Sequence, residues 1–211
     1  MWSISVNQRT SKARQFYAGL AILDEYGVDL RELVHQLIDN CPLAEIAPVF
    51  QAIAHGIYLQ QHDYPADWLI GHGFSESEIV LLQAIALVCR ASYPLDTELY
   101  SAELTKTCGS LPIANHLKQM YQLLRKGHSV GTAQYQISDP ILLGIYLFLY
   151  SPYTWNKYGN IASTYNLEKT TEITACSLSR IYLGAVPREQ GVVKEASEQL
   201  FRYWSGMLNY A

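Results

Sequence analysis

The chain has 211 residues, of which 15 are Lys or Arg and 19 are Asp or Glu, so its formal net charge is −4. This weakly acidic balance argues against a nucleic-acid-binding protein, which needs a basic face, and the 49% of hydrophobic residues excludes a disordered chain. Only 16% of the residues are charged, whereas 16 residues are tyrosine. We therefore expect a surface that is either covered by a partner or unusually aromatic.

Apolar residues at helical spacing predict three helices in the N-terminal part of the chain. The first is predicted to begin after Ser11 and to end at Gly27, where a helix-ending glycine is expected. Asp29 and Glu32 have the spacing of a capping box and open the second helix. Pro48 suits the first turn of the third helix, because its missing N–H is not needed there.

The middle of the chain contains the clearest helix starts. The sequence Ser75-Glu76-Ser77-Glu78 is a capping box in front of a very apolar helix. Asp96 is predicted to cap the next helix, and Ser110 is predicted to lead the one after it, which ends at Gly127. Residues 128–137 are predicted to form a loop or a short extended stretch.

The last third of the chain is predicted to hold four helices. Asp139-Pro140 and Ser151-Pro152 each look like a cap followed by proline at the first helical position. Asn166 is predicted to cap a helix that ends near Gly184. The last helix is predicted over residues 190–208.

Together these patterns predict an all-α fold of about ten helices, packed as one compact domain over residues 1–211. No secretory signal is visible, and the longest apolar run, residues 141–150, is about half of the roughly 20 residues needed to span a bilayer. Four widely spaced cysteines form no Cys-x-x-Cys pair and are interpreted as reduced thiols: Cys41, Cys89, Cys108 and Cys176. We therefore expect a cytoplasmic protein that does not enter a membrane.

Catalytic motifs are scarce. No Gly-x-Ser-x-Gly nucleophile motif and no glycine-rich phosphate-binding signature occurs. A metal site would group His55, His62, Asp63 and His72, but their spacing matches no standard ligand motif. Histidines at a helix end and in loops are the alternative interpretation, so we predict no cofactor from these residues.

Three segments of the last third resemble a known family. Residues 139–152, Asp-Pro-Ile-Leu-Leu-Gly-Ile-Tyr-Leu-Phe-Leu-Tyr-Ser-Pro, resemble a helix of the ADP-ribosylglycohydrolase-type proteins that ends in a small residue and proline. Residues 170–187, from Thr-Thr-Glu to Gly-Ala-Val-Pro, resemble the late helix of that family. Residues 195–211, with Tyr-Trp-Ser-Gly, resemble the final helix of some members. The resemblance covers residues 138–208.

The resemblance implies an all-α fold in which two magnesium ions orient ADP-ribose and a water. The family holds these ions with an early Thr-Asp-Asp set, which this chain lacks, and a late Asp-x-Asp-Thr set. Thr170 and Thr171 match the late threonines, but Leu167, Glu168 and Lys169 stand where the aspartates are expected. Lys169 would repel a magnesium ion. The chain therefore resembles a member that has lost its metal ligands.

Four residues of the late helix are candidates for a ligand cleft: Thr170, Thr171, Glu172 and Arg180. The alternative for the first three is the first turn of a helix capped by Asn166, where Glu172 suits the helix dipole. Arg180 either binds an acidic, nucleotide-like ligand or is a solvent-facing or salt-bridged arginine.

Aromatic residues crowd the segment before this helix and are predicted to form an interface: Tyr150, Tyr153, Trp155 and Tyr158. Three functions stay open. The chain is a non-catalytic ADP-ribosylglycohydrolase-like protein acting by binding or assembly, a magnesium-dependent hydrolase of ADP-ribosylated or related nucleoside substrates, or a helical interaction module unrelated to that family. The first is favoured because the aspartates are missing. It predicts a protein partner or a homo-oligomer, no nucleic acid, no membrane, and magnesium only if the hydrolase alternative holds.

Overall fold

The computed structural model describes residues 2–39, 46–58, 66–71, 73–185 and 191–205. Over these residues the chain forms twelve α-helices and one 3-10 turn, with no strand. The prediction of an all-α, multi-helix fold is therefore confirmed. None of the helices in these ranges has the length and apolar character needed to cross a membrane.

The helices are short and follow one another closely along the chain. The first six are α1 (Trp2–Glu25), α2 (Leu30–Ile38), α3 (Pro48–Tyr58), α4 (Ala66–Gly71), α5 (Glu76–Val88) and α6 (Thr97–Thr107). The other six are α7 (Ala114–Arg125), α8 (Val130–Ala133), α9 (Pro140–Tyr150), α10 (Tyr158–Tyr165), α11 (Lys169–Leu183) and α12 (Gly191–Trp204), with the 3-10 turn Trp155–Lys157 in front of α10.

Four helices begin at capping residues that the sequence predicts. Each of these side chains accepts at least one backbone N–H of the first helical turn: Asp29, Ser75, Asp96 and Asp139. The reciprocal capping box at the start of α5 is present, and a proline follows Asp139 as the first residue of α9. Asp139 also accepts a hydrogen bond from the hydroxyl of Ser77. This bond ties the start of α5 to the start of α9.

Three predicted helix-ending glycines have the left-handed backbone that a helix end requires. Their φ angles are 78° at Gly27, 68° at Gly127 and 58° at Gly184. Asn166 was expected to start a helix, and this prediction is wrong. It ends α10 with φ 51°, while Glu168 precedes α11 and makes no side-chain cap.

Two helix starts lie elsewhere than the sequence predicts. α1 begins at Trp2 rather than after Ser11. α7 does not begin directly behind Ser110, because residues 108–113 form turns first. The N–H of Ile113, just before α7, donates to the carboxylate of Glu76 in α5 at 2.9 Å. A side chain of α5, which local sequence does not reveal, therefore holds the residue that precedes α7.

Two further predictions fail between residues 128 and 158. Ser129 caps the one-turn helix α8 inside the segment predicted as a loop or extended stretch. Ser151-Pro152 does not open a helix, because the N–H of Ser151 still donates to carbonyls of α9 and ends that helix. The hydroxyl of Thr154 then donates to the Ser151 carbonyl at 3.0 Å and closes a turn.

The hydrophobic core contains residues from both halves of the chain. α5 and α9 are apolar on all sides and almost entirely buried, as expected for helices at the centre of a core. α11 packs against α9, α5 and α1, and α12 covers α1 and α2. Rings of Phe16, Phe201 and Trp204, with centroids 5.4–5.8 Å apart, join α1 to α12.

α11 lies in the middle of this arrangement, and much of its buried face is made of hydroxyl groups. Thr171, Ser177 and Ser179 are fully buried, and each donates a hydrogen bond to a backbone carbonyl. These bonds remove the cost of burying the hydroxyls. Gly144 of α9 lets the two helices approach closely, since a Cβ there would lie 2.5 Å from the Cβ of Thr174. α11 is therefore held in place by hydrogen bonds and close packing along its buried face.

Candidate functional site

Thr171 at the start of α11 supports the fold. The hydroxyl of Thr171 is fully buried and donates to the carbonyl of Pro140 at 3.0 Å. It therefore ties the first turn of α11 to the first turn of α9. Thr170, its neighbour, is half-buried.

Glu172 lies in a local charge pair one turn into α11. Its carboxylate is 2.8 Å from the ammonium of Lys169, and this hydrogen bond raises the pKa of Lys169. The same ammonium lies 5.9 Å from the ring of Tyr26 at the end of α1, where burial raises the pKa of the Tyr26 hydroxyl. The negative charge of Glu172 is therefore already balanced by its own helix.

Arg180 lies two turns further along α11 and is almost completely buried. Its side chain is 5% exposed, and its guanidinium donates to both carboxylate oxygens of Glu25, at 2.7 and 3.0 Å. The guanidinium also lies 5.7 Å from the ring of Trp155. Of the alternatives for Arg180, the salt-bridged one is confirmed and the solvent-facing one is wrong. An acidic ligand would have to displace Glu25.

Cys176 lies between Glu172 and Arg180 on the same flank of α11. Its thiol donates to the carbonyl of Trp155 at 3.7 Å, and burial raises its pKa to about 11. A thiol with this pKa stays protonated at neutral pH and is a poor nucleophile. Cys89 and Cys108 are also unpaired, as the sequence predicts, while Cys41 lies outside the described residues.

Magnesium does not fit this flank of α11. Mg²⁺ is usually held by one or two carboxylates together with waters or phosphates. Here the Thr171 hydroxyl donates to a carbonyl, and the carboxylates of Glu172 and Glu25 are each paired with a cation. Within the part of the chain that the structure describes, no group of three or more His, Cys, Asp or Glu side chains could hold a metal ion.

The histidine-rich metal grouping of the sequence analysis falls mostly outside the described residues, which exclude His62, Asp63 and His72. His55 is described, and its ring packs edge-on against Phe74 at 5.5 Å. For His55, packing in α3 is therefore what the structure supports.

A surface of three tyrosines lies at the other end of α11. Tyr182 of α11, Tyr153 of the turn after α9, and Tyr93 of the loop between α5 and α6 contact one another, with ring centroids 5.8–6.3 Å apart. Tyr93 is 77% exposed and Tyr153 is 43% exposed. We call these three residues the tyrosine surface.

Hydrogen bonds hold the tyrosine surface in place. The hydroxyl of Tyr153 accepts the N–H of Leu95 at 3.0 Å, and the hydroxyl of Tyr182 donates to the carbonyl of Ser92 at 3.0 Å. Burial raises the pKa of Tyr182, so its proton is retained at neutral pH. Because two tyrosines fix the loop on either side of Tyr93, the Tyr93 ring is presented to solvent by a preorganised backbone.

Of the four aromatic residues predicted to form an interface, two are exposed and two are not. Tyr150 is exposed and stacks on Tyr146, and Tyr153 belongs to the tyrosine surface. Trp155 is half-buried beside Arg180. Tyr158 is fully buried, and its hydroxyl donates to the Ser151 carbonyl at 2.6 Å, so its assignment to an exposed interface is wrong.

Sequence reasoning missed Tyr93 and Tyr182 because they join the surface from distant parts of the chain. One signal was available for Tyr93. It lies beside Pro94 in a connection between two predicted helices, where an aromatic ring has no helix face on which to be buried.

Comparison with known proteins finds no matching family model, no matching curated protein and no matching solved structure.

Proposed function

We propose that this protein is a non-catalytic ADP-ribosylglycohydrolase-like protein that acts by binding a protein partner through the tyrosine surface. The observation that carries the proposal is the exposure of Tyr93 and Tyr153, whose rings contact each other and the half-buried ring of Tyr182, at a loop held by hydrogen bonds. The binding function rests on this surface alone, so it holds equally for a helical interaction module outside that family.

Tyrosine is well suited to such a role. Its ring contributes a large contact area at a small entropic cost, and tyrosines are enriched among the residues that dominate binding energy. Tyr93 in particular is 77% exposed on a backbone that binding does not need to order. A preordered loop raises affinity, since less conformational entropy is lost on association.

The non-catalytic part of the proposal is supported by the state of the α11 side chains. Thr171 is hydrogen-bonded to Pro140, Glu172 is paired with Lys169, and Arg180 is paired with Glu25. A hydrolase of the resembling family would use this region for metal and phosphate. In this chain Thr171 and Arg180 instead join α11 to other helices, and the charge of Glu172 is paired within α11.

Site-specific photo-crosslinking tests the binding function. Position 93 would carry the photo-reactive residue benzoylphenylalanine in place of Tyr93, and the protein would be irradiated in its native host. Tyr135, which is 85% exposed on the connection between α8 and α9, provides the matched control position. We expect a protein adduct from position 93 at several times the yield from position 135. Equal yields, or no adduct at position 93, would contradict the proposal.

Calorimetric titration with ADP-ribose tests the non-catalytic assignment. We expect no binding heat in the presence or absence of Mg²⁺, because Arg180 and Glu172 are already paired within the protein. Magnesium-dependent binding of ADP-ribose would instead support the hydrolase alternative.

A further inference from the structure

The loop that carries Tyr93 has opposite charges at its two ends. Arg90 lies two residues after the end of α5 and Asp96 directly precedes α6, and they are the only charged residues between positions 90 and 96. Both are exposed. Tyr93 lies halfway between them, three residues from each. Along the loop, a positive charge is therefore followed by an aromatic ring and then by a negative charge.

Both charged side chains are anchored by one part of their polar group. The Nε of Arg90 donates to the carbonyl of Ala86 at 3.2 Å, and the Oδ1 of Asp96 accepts the N–H groups of Glu98 and Leu99 at the start of α6. These bonds fix where the charges lie relative to Tyr93. They use only one nitrogen of Arg90 and one oxygen of Asp96.

Two copies of such a loop are complementary in charge when they run in opposite directions. If two copies meet about a two-fold axis at Tyr93, the loops run in opposite directions. Arg90 of each copy then faces Asp96 of the other, and the two Tyr93 rings meet at the axis. In a two-fold interface both chains contribute the same patch. Each chain therefore contributes the positive charge of one pair and the negative charge of the other.

Charge balance makes this face suitable for contact between two copies. Each chain has a formal net charge of −4, so two copies repel one another over much of their surfaces. The loop contributes one positive and one negative charge and is neutral overall. Its neighbours Pro94 and Leu99 are exposed apolar residues, which extend the contact beyond the tyrosine surface.

We infer that the partner of the tyrosine surface is a second copy of this chain, bound about a two-fold axis at Tyr93 with Arg90 and Asp96 paired across it. This inference rests on the proposed binding function and names its partner. The purified protein is expected to dimerise with a concentration-dependent mass in light scattering. A wild-type chain that stays monomeric at every accessible concentration would overturn it.

A charge-swap mixture tests the paired geometry. Arg90→Asp places like charges opposite one another in its own dimer, and so does Asp96→Lys. We expect each variant alone to dimerise at least about tenfold more weakly than wild type, because two favourable pairs become repulsive. Mixed together, the two variants restore opposite charges at both positions, so we expect them to form heterodimers of near wild-type affinity.

Asp96→Lys also removes the cap of α6, so a second variant separates folding from charge. Asp96→Asn keeps a capping side chain of similar strength and removes only the charge, and we expect a smaller weakening that diminishes with added salt. Unselective mixing, or wild-type dimerisation of Arg90→Asp, would overturn the paired geometry.

The two proposals fail in different ways. If position 93 crosslinks to another protein while the purified chain is monomeric, the inference of a second copy is wrong and the binding function stands. If position 93 gives no adduct, the binding function itself fails.

Discussion

Arg180 and Glu25 form a two-pronged ion pair across 155 residues of chain. The arginine side chain is 5% exposed and the glutamate side chain is 40% exposed. This pair ties the second half of α11 to the last residue of α1. It also compensates for burying the charge of the Arg180 guanidinium.

Removing both partners of this pair should destabilise the protein by less than the sum of removing each one alone. Glu25→Ala leaves the guanidinium of Arg180 buried without its carboxylate, and we expect a loss of about 2 kcal/mol in the free energy of unfolding. The double variant Glu25→Ala, Arg180→Met should lose less than the sum of the two single variants. Urea denaturation checks this prediction, with Glu195→Ala on an exposed part of α12 as the control.

A double variant whose loss equals the sum of the single losses would show that the two side chains do not interact energetically. The bidentate geometry would then be structural coincidence, and Arg180 would be open to another partner.

Alkaline pH should destabilise the protein through its buried thiols. Burial raises the pKa of Cys89 and of Cys108 from 9.0 to about 12. The contribution of the protonated thiols to the free energy of unfolding is therefore fully present below pH 9. It is lost as pH rises towards 12, because the thiols of the unfolded chain ionise first. Each thiol contributes a slope of about 1.4 kcal/mol per pH unit in this window.

Burial lowers the pKa of Lys12, which acts in the opposite direction, but this is one group against three thiols, because burial also raises the pKa of Cys176. Urea denaturation at a series of pH values checks the prediction, and Cys89→Ala should flatten the decline above pH 9. A free energy of unfolding that stays constant or rises between pH 9 and 11 would contradict it.

The close approach of α9 and α11 should not tolerate a methyl group at Gly144. The Cβ of Gly144→Ala would lie 2.5 Å from the Cβ of Thr174 and 2.8 Å from the carbonyl oxygen of Thr171. Because one of these neighbours is backbone, the helices have to move apart, and we expect a loss of about 1–3 kcal/mol. Thermal unfolding is the measurement.

The matched control is Gly191→Ala at the start of α12, where an added Cβ meets nothing within 4 Å. We expect no loss there. Similar unfolding temperatures for the two variants would show that α9 and α11 are less tightly packed than the structure indicates.

Local sequence was sufficient for several helix starts whose bond partners lie within one helical turn. Asp29, Ser75 and Asp139 cap helices through N–H groups two or three residues away, and the corresponding predictions are confirmed. Asn166 shows the limit of such reasoning, because asparagine is favoured both as an N-cap and as a left-handed helix end. Only the position of α10 decides between the two.

The candidate site depended on partners that sequence spacing does not reveal. The ion pair of Arg180 with Glu25 and the ring contact of Tyr182 with Tyr93 each join residues that are far apart in the sequence. The aromatic cluster predicted from neighbouring positions mixed an exposed residue, Tyr153, with a fully buried one, Tyr158. Closeness in the sequence does not show which of the two is exposed, because the turn between them gives their side chains different surroundings.

The exposed connection between α5 and α6 divides the chain without dividing the core. α1, from the first piece, packs against α11 and α12 from the second, and α5 packs against α9. Cutting the backbone between Tyr93 and Pro94 would therefore yield two fragments that each lack the surface their helices pack against. Such fragments are complementary halves, and they should regain the native arrangement only when produced together. The connection is thus a natural place to split this protein into a reconstituting pair.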